Sequence, residues 1–168
     1  SAGPGDAGRV GVVPAHVWYA RSAPVVAADP PNGIAIDASG ATHLSGGETR
    51  MLAELVRRLA AVGVQARAAM AATYGAAHAL ARFAAKPMVV VANEATEAAL
   101  ATLPIVALRL SPDLVTSLRR MGFDHIGELA AQPRAPLALR FGPEPGRRLD
   151  QAYGRIFEPI SPVRSADL

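Results

Sequence analysis

The stretch Pro24-Val-Val-Ala-Ala-Asp-Pro-Pro-Asn-Gly-Ile-Ala-Ile-Asp37 contains two short apolar runs separated by a turn rich in Pro and Gly. Proline fixes φ in such a turn, and the Asn32-Gly33 pair accepts positive φ. The pattern predicts strands at residues 24–28 and 34–37, joined as a hairpin.

Helical and strand patterns alternate after the hairpin. A helix that ends at Gly63 is predicted by apolar residues at helical spacing, namely Leu52, Leu55, Val56, Leu59 and Val62. Strands are predicted at residues 64–70 and 88–91, and helices at residues 74–84 and 93–100. The sequence therefore predicts a mixed α/β (α+β) layer.

The character of the sequence changes near residues 101–104. No strand is predicted beyond this point, and helices are expected at 111–121, 126–131, 134–141 and 144–154. The first has Ser111 as its cap and Pro112 at its first position. We therefore expect a flexible leader, an α/β domain, a small all-helical domain and a linker, at residues 1–15, 16–102, 103–157 and 158–168.

Composition limits the classes of protein that fit. The 168 residues are 51% hydrophobic and 18% charged, which favours a globular chain over a disordered one. No apolar run reaches the roughly 18–20 residues of a membrane helix, so no membrane partner is expected. The absence of cysteine excludes disulfides and thiolate metal sites and predicts a cytoplasmic location. The net charge of +3 permits nucleic acid as a partner.

Common catalytic motifs are absent from the sequence. It contains no phosphate-binding Gly-x-x-x-x-Gly-Lys-Ser/Thr loop, no dinucleotide-binding Gly-x-Gly-x-x-Gly and no serine-hydrolase elbow. The four histidines are scattered without metal-ligand spacing. Asp29 and Asp37 would form a metal pair only if both pointed to the same face of the hairpin, so no metal site is predicted.

The stretch from Leu110 to Ala130 has the outline of a helix, a glycine turn and a second helix. Helix-hairpin-helix modules share this outline and direct N–H groups at helix N-termini toward nucleic-acid phosphates, assisted by Arg or Lys. The candidate DNA-binding residues are Arg109, Ser111, Arg119, Arg120 and Gly122. A purely structural helical hairpin is the alternative, because residues 109–112 lack the glycines that let phosphate approach closely.

Three stretches together resemble the Y-family (UmuC/DinB-like) translesion DNA polymerases, and most closely their ImuB branch. Residues 29–48 resemble that branch's palm hairpin, residues 79–87 resemble a palm helix ending in Lys-Pro, and residues 103–154 resemble the thumb. Residues 158–162 resemble the exit toward a little-finger domain. The resemblance implies a partial polymerase palm and a helix-hairpin-helix-like thumb, in a bacterial protein of DNA repair, the SOS response and induced mutagenesis.

The resemblance also implies that catalytic carboxylates are missing. Active Y-family palms carry an adjacent Asp-Glu pair five residues before a further Asp, and with Asp37 as that residue, Asn32 and Gly33 occupy the place of the pair. Two-metal phosphoryl transfer needs carboxylates there to hold Mg²⁺. We therefore expect a non-catalytic scaffold without a cofactor. Lys86, the one lysine of the chain, falls where active members contact the triphosphate; a solvated lysine at a helix end is the alternative.

The partners implied by the resemblance are primer–template DNA, a sliding clamp, an error-prone replicative-type polymerase and a RecA-like accessory protein, and the location is the nucleoid. Two other functions stay open. In one, the chain is part of an active DNA-directed nucleotidyltransferase whose Mg²⁺ ligands lie on another segment. In the other, it is a helical protein-interaction module without DNA binding.

Overall fold

The structure, a computed structural model, describes residues 9–13, 25–29, 33–38 and 46–160. The strands are β1 (Arg9–Val13), β2 (Val25–Asp29), β3 (Gly33–Asp37), β4 (Arg67–Ala71) and β5 (Met88–Val90). The helices are α1 (Glu48–Ala61), α2 (Tyr74–Phe83), α3 (Thr96–Ala101), α4 (Pro112–Arg120), α5 (Ile126–Ala130), α6 (Arg134–Phe141) and α7 (Glu144–Ala152), with 3₁₀ turns at Asn93–Ala95 and Ile105–Leu108.

The strands form one sheet in the order β2-β3-β1-β4-β5. The predicted hairpin is confirmed: β2 and β3 pair antiparallel, with Asp29 opposite Gly33 at one end and Val25 opposite Asp37 at the other. Strands β4 and β5 pair in parallel, and α2 connects them. Residues 30–32, including Asn32, lie outside the described residues.

The expectation of a flexible leader is wrong for Arg9–Val13, which forms β1 in the middle of the sheet. Val10 pairs with Ile36 of β3 on one side and with Met70 of β4 on the other, both antiparallel. A five-residue strand between Gly- and Pro-rich segments has little local signal, because its stability comes from two long-range partners. The sequence also predicts one short helical turn at residues 16–21, which lie outside the described residues.

Two apolar cores lie on opposite faces of the sheet. Strand β4 separates them, since Ala68 and Met70 belong to one core while Ala69 and Ala71 belong to the other. Helix α1 covers the smaller core with Leu52 and Leu55, as its apolar spacing predicted. Helix α2 lies in the larger core.

The larger core continues from α2 into the helical half of the chain. Its members lie on both sides of residues 101–104. Five leucines of this core are each at most 3% exposed: Leu80, Leu100, Leu118, Leu129 and Leu149. Burial of each such side chain contributes about 1.5–3 kcal/mol. The α/β part and the helical part therefore share apolar packing, although the sequence changes character between them.

Thr73 joins the start of α2 to the end of α7. Its hydroxyl oxygen accepts from the Ala76 N–H at 3.0 Å, which caps α2, and donates to the Ala152 carbonyl at 2.8 Å. Gly75 allows this close approach, because a Cβ there would lie 3.3 Å from the Cα of Ala152. The junction is thus built from small side chains and one shared hydroxyl.

Candidate nucleic-acid interface

Helices α4 and α5 lie close to their predicted bounds and are joined by residues 121–125, and the helix that contacts α5 is α3. Ser111 is the N-cap residue of α4 and Pro112 its first residue, as expected. Gly122 follows the helix with φ +89°, a conformation that favours glycine, and its N–H bonds the Arg119 carbonyl at 2.9 Å. Gly122 is therefore a helix terminator whose N–H is already used.

Arg119 and Arg120 lie in the last turn of α4, and both are exposed. Neither side chain makes an ion pair with another described residue. A third guanidinium lies beside them, since Nη2 of Arg140 is 3.1 Å from Sδ of the exposed Met121. We call Arg119, Arg120 and Arg140 the basic patch. No local pattern in the sequence pointed to Arg140, because α6 reaches this position only through tertiary packing.

Arg109 occupies a different environment from the basic patch. Its φ of 59° makes it the non-glycine residue with positive φ in the described part of the chain. Both Nη atoms donate to Glu158, at 2.7 and 2.8 Å, and the guanidinium lies 4.5 Å from the ring centre of Tyr74. The side chain is 19% exposed. Arg109 is thus part of the packing between the two halves, and the structure does not bring it together with Arg119 and Arg120.

The Ser111 donors are also occupied by a carboxylate. The Ser111 N–H donates to Oε1 of Glu144 at 2.9 Å, and its hydroxyl lies 3.4 Å from Oε2. Glu144 belongs to the first turn of α7. The N–H group expected to receive a phosphate therefore already binds an anion of the chain itself.

Asp29 and Asp37 do not form a pair. The hairpin register places them at opposite ends of β2 and β3, about four residues or 13 Å apart along a strand. No group of three potential metal ligands occurs among the described residues. Gly33, the described member of the degenerate Asn32-Gly33 position, is the first residue of β3 and faces Asp29 across the hairpin.

Asp29 instead forms a buried polar cluster that sequence analysis missed. Its carboxylate, 1% exposed, accepts from the Tyr74 hydroxyl at 2.6 Å, contacts Nδ1 of His78 at 2.7 Å and pairs with Arg82 at 3.1 Å. Burial would raise the pKa of Asp29, but hydrogen bonds from His78 and Tyr74 and the charges of His78 and Arg82 lower it further, to below its ordinary value. Burial of Tyr74 raises the pKa of its hydroxyl, and the hydrogen bond to the Asp29 carboxylate raises it further.

The spacing of the cluster was visible in the sequence, although its partner was not. Tyr74, His78 and Arg82 recur every fourth residue and so form one stripe along α2. Asp29 lies in β2, 45 residues before Tyr74. A polar stripe on an Ala-rich helix was the available signal for a buried partner.

Lys86 lies in the bend between α2 and β5 and is exposed. Helix α2 ends at Phe83, one residue before the predicted end at residue 84, so Lys86 lies three residues beyond the helix. The guanidinium of Arg67 in β4 binds the carbonyls of Ala81, Ala84 and Lys86 and so satisfies acceptors at this end of the helix.

The chain is similar in sequence to known proteins over most of its length. No protein-family model matches the chain. Protein ImuB of Caulobacter vibrioides strain NA1000 / CB15N is 48% identical over 149 residues, which cover 89% of this chain and 32% of that protein. Protein ImuB of strain ATCC 19089 / CIP 103742 / CB 15 gives the same figures. The chain is a Y-family, ImuB-like protein. It spans about a third of the length of the curated relatives it matches.

Solved structures show the same fold. The ImuB-like chain matches DinB from Sulfolobus solfataricus with a TM-score of 0.61 at 16% identity, over 83% of this chain and 42% of that one. It matches a Dbh ternary complex with a TM-score of 0.60 at 16% identity, over 83% and 43% of the two chains. A post-insertion binary complex of Dbh DNA polymerase gives a TM-score of 0.58 at 17% identity, over 82% and 42%. The fold is thus that of part of a DinB-like polymerase.

In the described part of the chain, no helix is long and apolar enough to cross a membrane.

Proposed function

We propose that this chain acts in DNA-damage tolerance and induced mutagenesis as a non-catalytic, Y-family-like scaffold that binds primer–template DNA through its helical half. The carrying observation is the basic patch: three exposed guanidinium groups at the end of α4 without a carboxylate partner among the described residues. Exposed cations that no neighbouring carboxylate neutralises attract nucleic-acid phosphates.

The state of the α/β half supports a non-catalytic role. Glycine at position 33 supplies no metal ligand, and the buried carboxylate of Asp29 is saturated by Tyr74, His78 and Arg82. A carboxylate engaged with two basic side chains is a counterion, not a free Mg²⁺ ligand. Lys86, exposed on its bend, stays a candidate contact for a nucleotide triphosphate.

Protein partners extend the proposal. By likeness to the ImuB branch, we propose that the whole protein recruits a sliding clamp, an error-prone replicative-type polymerase and a RecA-like accessory protein at the nucleoid.

DNA binding is tested by fluorescence anisotropy with a labelled primer–template at several salt concentrations. We expect Arg119→Ala/Arg120→Ala to weaken binding about tenfold and to reduce the slope of log affinity against log salt by about 1.8, or 0.9 for each lost phosphate contact. The matched control is Arg57→Ala/Arg58→Ala, which removes the same charge from exposed positions on α1. Equal losses in both double variants would remove the basic patch from the proposal.

Catalysis is tested separately, by primer extension with Mg²⁺ or Mn²⁺. The scaffold proposal expects no templated incorporation above background. Incorporation would favour the active nucleotidyltransferase, and absence of any DNA binding at low salt would favour the protein-interaction module.

A further inference from the structure

A cluster of charged groups surrounds residues 109–111, apart from the basic patch. Glu158 receives both Nη atoms of Arg109, and the same carboxylate lies 3.2 Å from Nη1 of Arg148. Glu144 receives the N–H of Ser111 at 2.9 Å. Two carboxylates from the end of the chain thus cover the donors of one short segment.

The donors of this cluster exceed its described acceptors. Nε of Arg109 and Nε of Arg148 are both buried without a hydrogen-bond partner in the described part of the chain. Burial is the largest cause that lowers the pKa of Arg148, and the charge of Arg109 lowers it further. Buried guanidinium donors that lack a partner attract anions.

The geometry suits phosphate as well as carboxylate. Guanidinium binds either anion in a bidentate manner, and the Ser111 N–H before α4 is a further donor to an anion. Glu144 and Glu158 therefore occupy the positions that two anionic oxygens of a nucleic-acid backbone would take. Their contacts are partly accessible, since the Ser111–Glu144 hydrogen bond lies at the surface.

We propose that Glu144 and Glu158 are intramolecular substitutes for phosphate, which close residues 109–111 to nucleic acid until a backbone phosphate displaces them. This inference rests on the proposed DNA binding and deepens it. The basic patch makes the first contact, and the 109–111 segment becomes a second contact only when its carboxylates leave. The alternative is that the carboxylates are fixed structural partners.

Charge-neutral variants separate these two possibilities. Glu144→Gln and Glu158→Gln each free donors at the segment, while Asp113→Asn removes the same charge from an exposed position in the first turn of α4. Binding of a labelled primer–template is measured by anisotropy across roughly 50–200 mM salt. We expect each glutamine variant to bind about threefold tighter at low salt, with the salt slope steeper by about 0.9 for an added phosphate contact.

Dependence on Arg109 is the decisive readout. We expect Arg109→Ala in the Glu158→Gln background to abolish the gain in affinity and in slope. Thermal denaturation monitors the folding of every variant. If Glu158→Gln does not fold, the test uses Glu144→Gln, because the Ser111–Glu144 hydrogen bond is exposed. Gains no larger than that of Asp113→Asn, or gains that persist without Arg109, overturn the inference.

The outcomes also distinguish the two proposals. If the parent binds DNA and the glutamine variants gain nothing, closure by carboxylates fails and the proposed function stands. If neither the parent nor the glutamine variants bind, both fail. Binding by the glutamine variants alone supports closure and shows that the parent is held shut.

Discussion

Two arginines of the α/β half and two of the helical half lie in opposite environments. In the α/β half, Arg82 and Arg67 point inward, one to the buried Asp29 and the other to the carbonyls that end α2. In the helical half, Arg119 and Arg120 face solvent without described ion-pair partners. An arginine satisfied by buried partners contributes to stability, whereas an exposed one is available to a charged ligand.

Arg109 belongs to neither class, which makes the comparison more informative. It lies in the helical half, yet its guanidinium stacks on Tyr74 and pairs with Glu158. Position in the sequence therefore does not decide the role of an arginine. What decides it is whether the fold brings a carboxylate within reach.

The largest expected effect concerns the buried cluster. Asp29→Ala leaves Arg82 and His78 without their shared carboxylate, and we expect it to lower the free energy of unfolding by about 3–5 kcal/mol. Urea denaturation followed by circular dichroism measures this loss. Glu94→Ala, at an exposed carboxylate of the same half, is the control and should change stability by less than about 0.5 kcal/mol. A small loss for Asp29→Ala would mean that the cluster is not a stabilising unit.

A second effect is the pH dependence of stability. Because the pKa of Asp29 in the folded state lies below its ordinary value of 3.8, its contribution is present above that value and is lost as the pH falls through the folded pKa. We expect the parent to lose more stability than Asp29→Asn between about pH 5 and pH 2. Denaturation of both proteins along a pH series is the measurement. Parallel curves would contradict the ionised state of this carboxylate.

A third prediction sharpens the contrast between stability and binding. Arg119→Ala/Arg120→Ala should leave the free energy of unfolding within about 0.5 kcal/mol of the parent, because both side chains are exposed. The same variant should lose DNA affinity, as described above. A protein that loses stability as well would show that the basic patch has structural partners.

The smallest expected effects concern the space around two helical glycines, Gly127 of α5 and Gly146 of α7. A Cβ at position 127 would lie 3.0 Å from the Ala101 carbonyl oxygen, whereas one at position 146 would meet Arg134 Cδ at an ordinary 3.6 Å. We expect Gly127→Ala to destabilise the protein by about 1 kcal/mol. Gly146→Ala should stabilise it by up to about 1 kcal/mol, since it improves helix propensity without a clash. Equal effects would mean that α3 and α5 move apart easily.

Local patterns predicted most elements because each carried its own signal. The spacing of Leu52 and Leu55 predicted α1, and the Ser111-Pro112 pair predicted the start of α4. The hairpin followed from its turn residues, and the resemblance to Y-family polymerases is confirmed by the similarity to ImuB and DinB. These features depend on interactions within a few residues or on matching a known pattern.

Tertiary structure alone decided the partners of the charged side chains and the position of β1. Strand β1 is stabilised by β3 and β4, and Asp29 meets α2 only after the sheet forms. Glu144 and Glu158 reach Ser111 and Arg109 from 33 and 49 residues away. The sequence by itself determined the helices α1 to α7 and the strands β2 to β5. The fold determined which guanidinium groups are neutralised and which stay available, because charge pairing depends on distances that the order of residues does not contain.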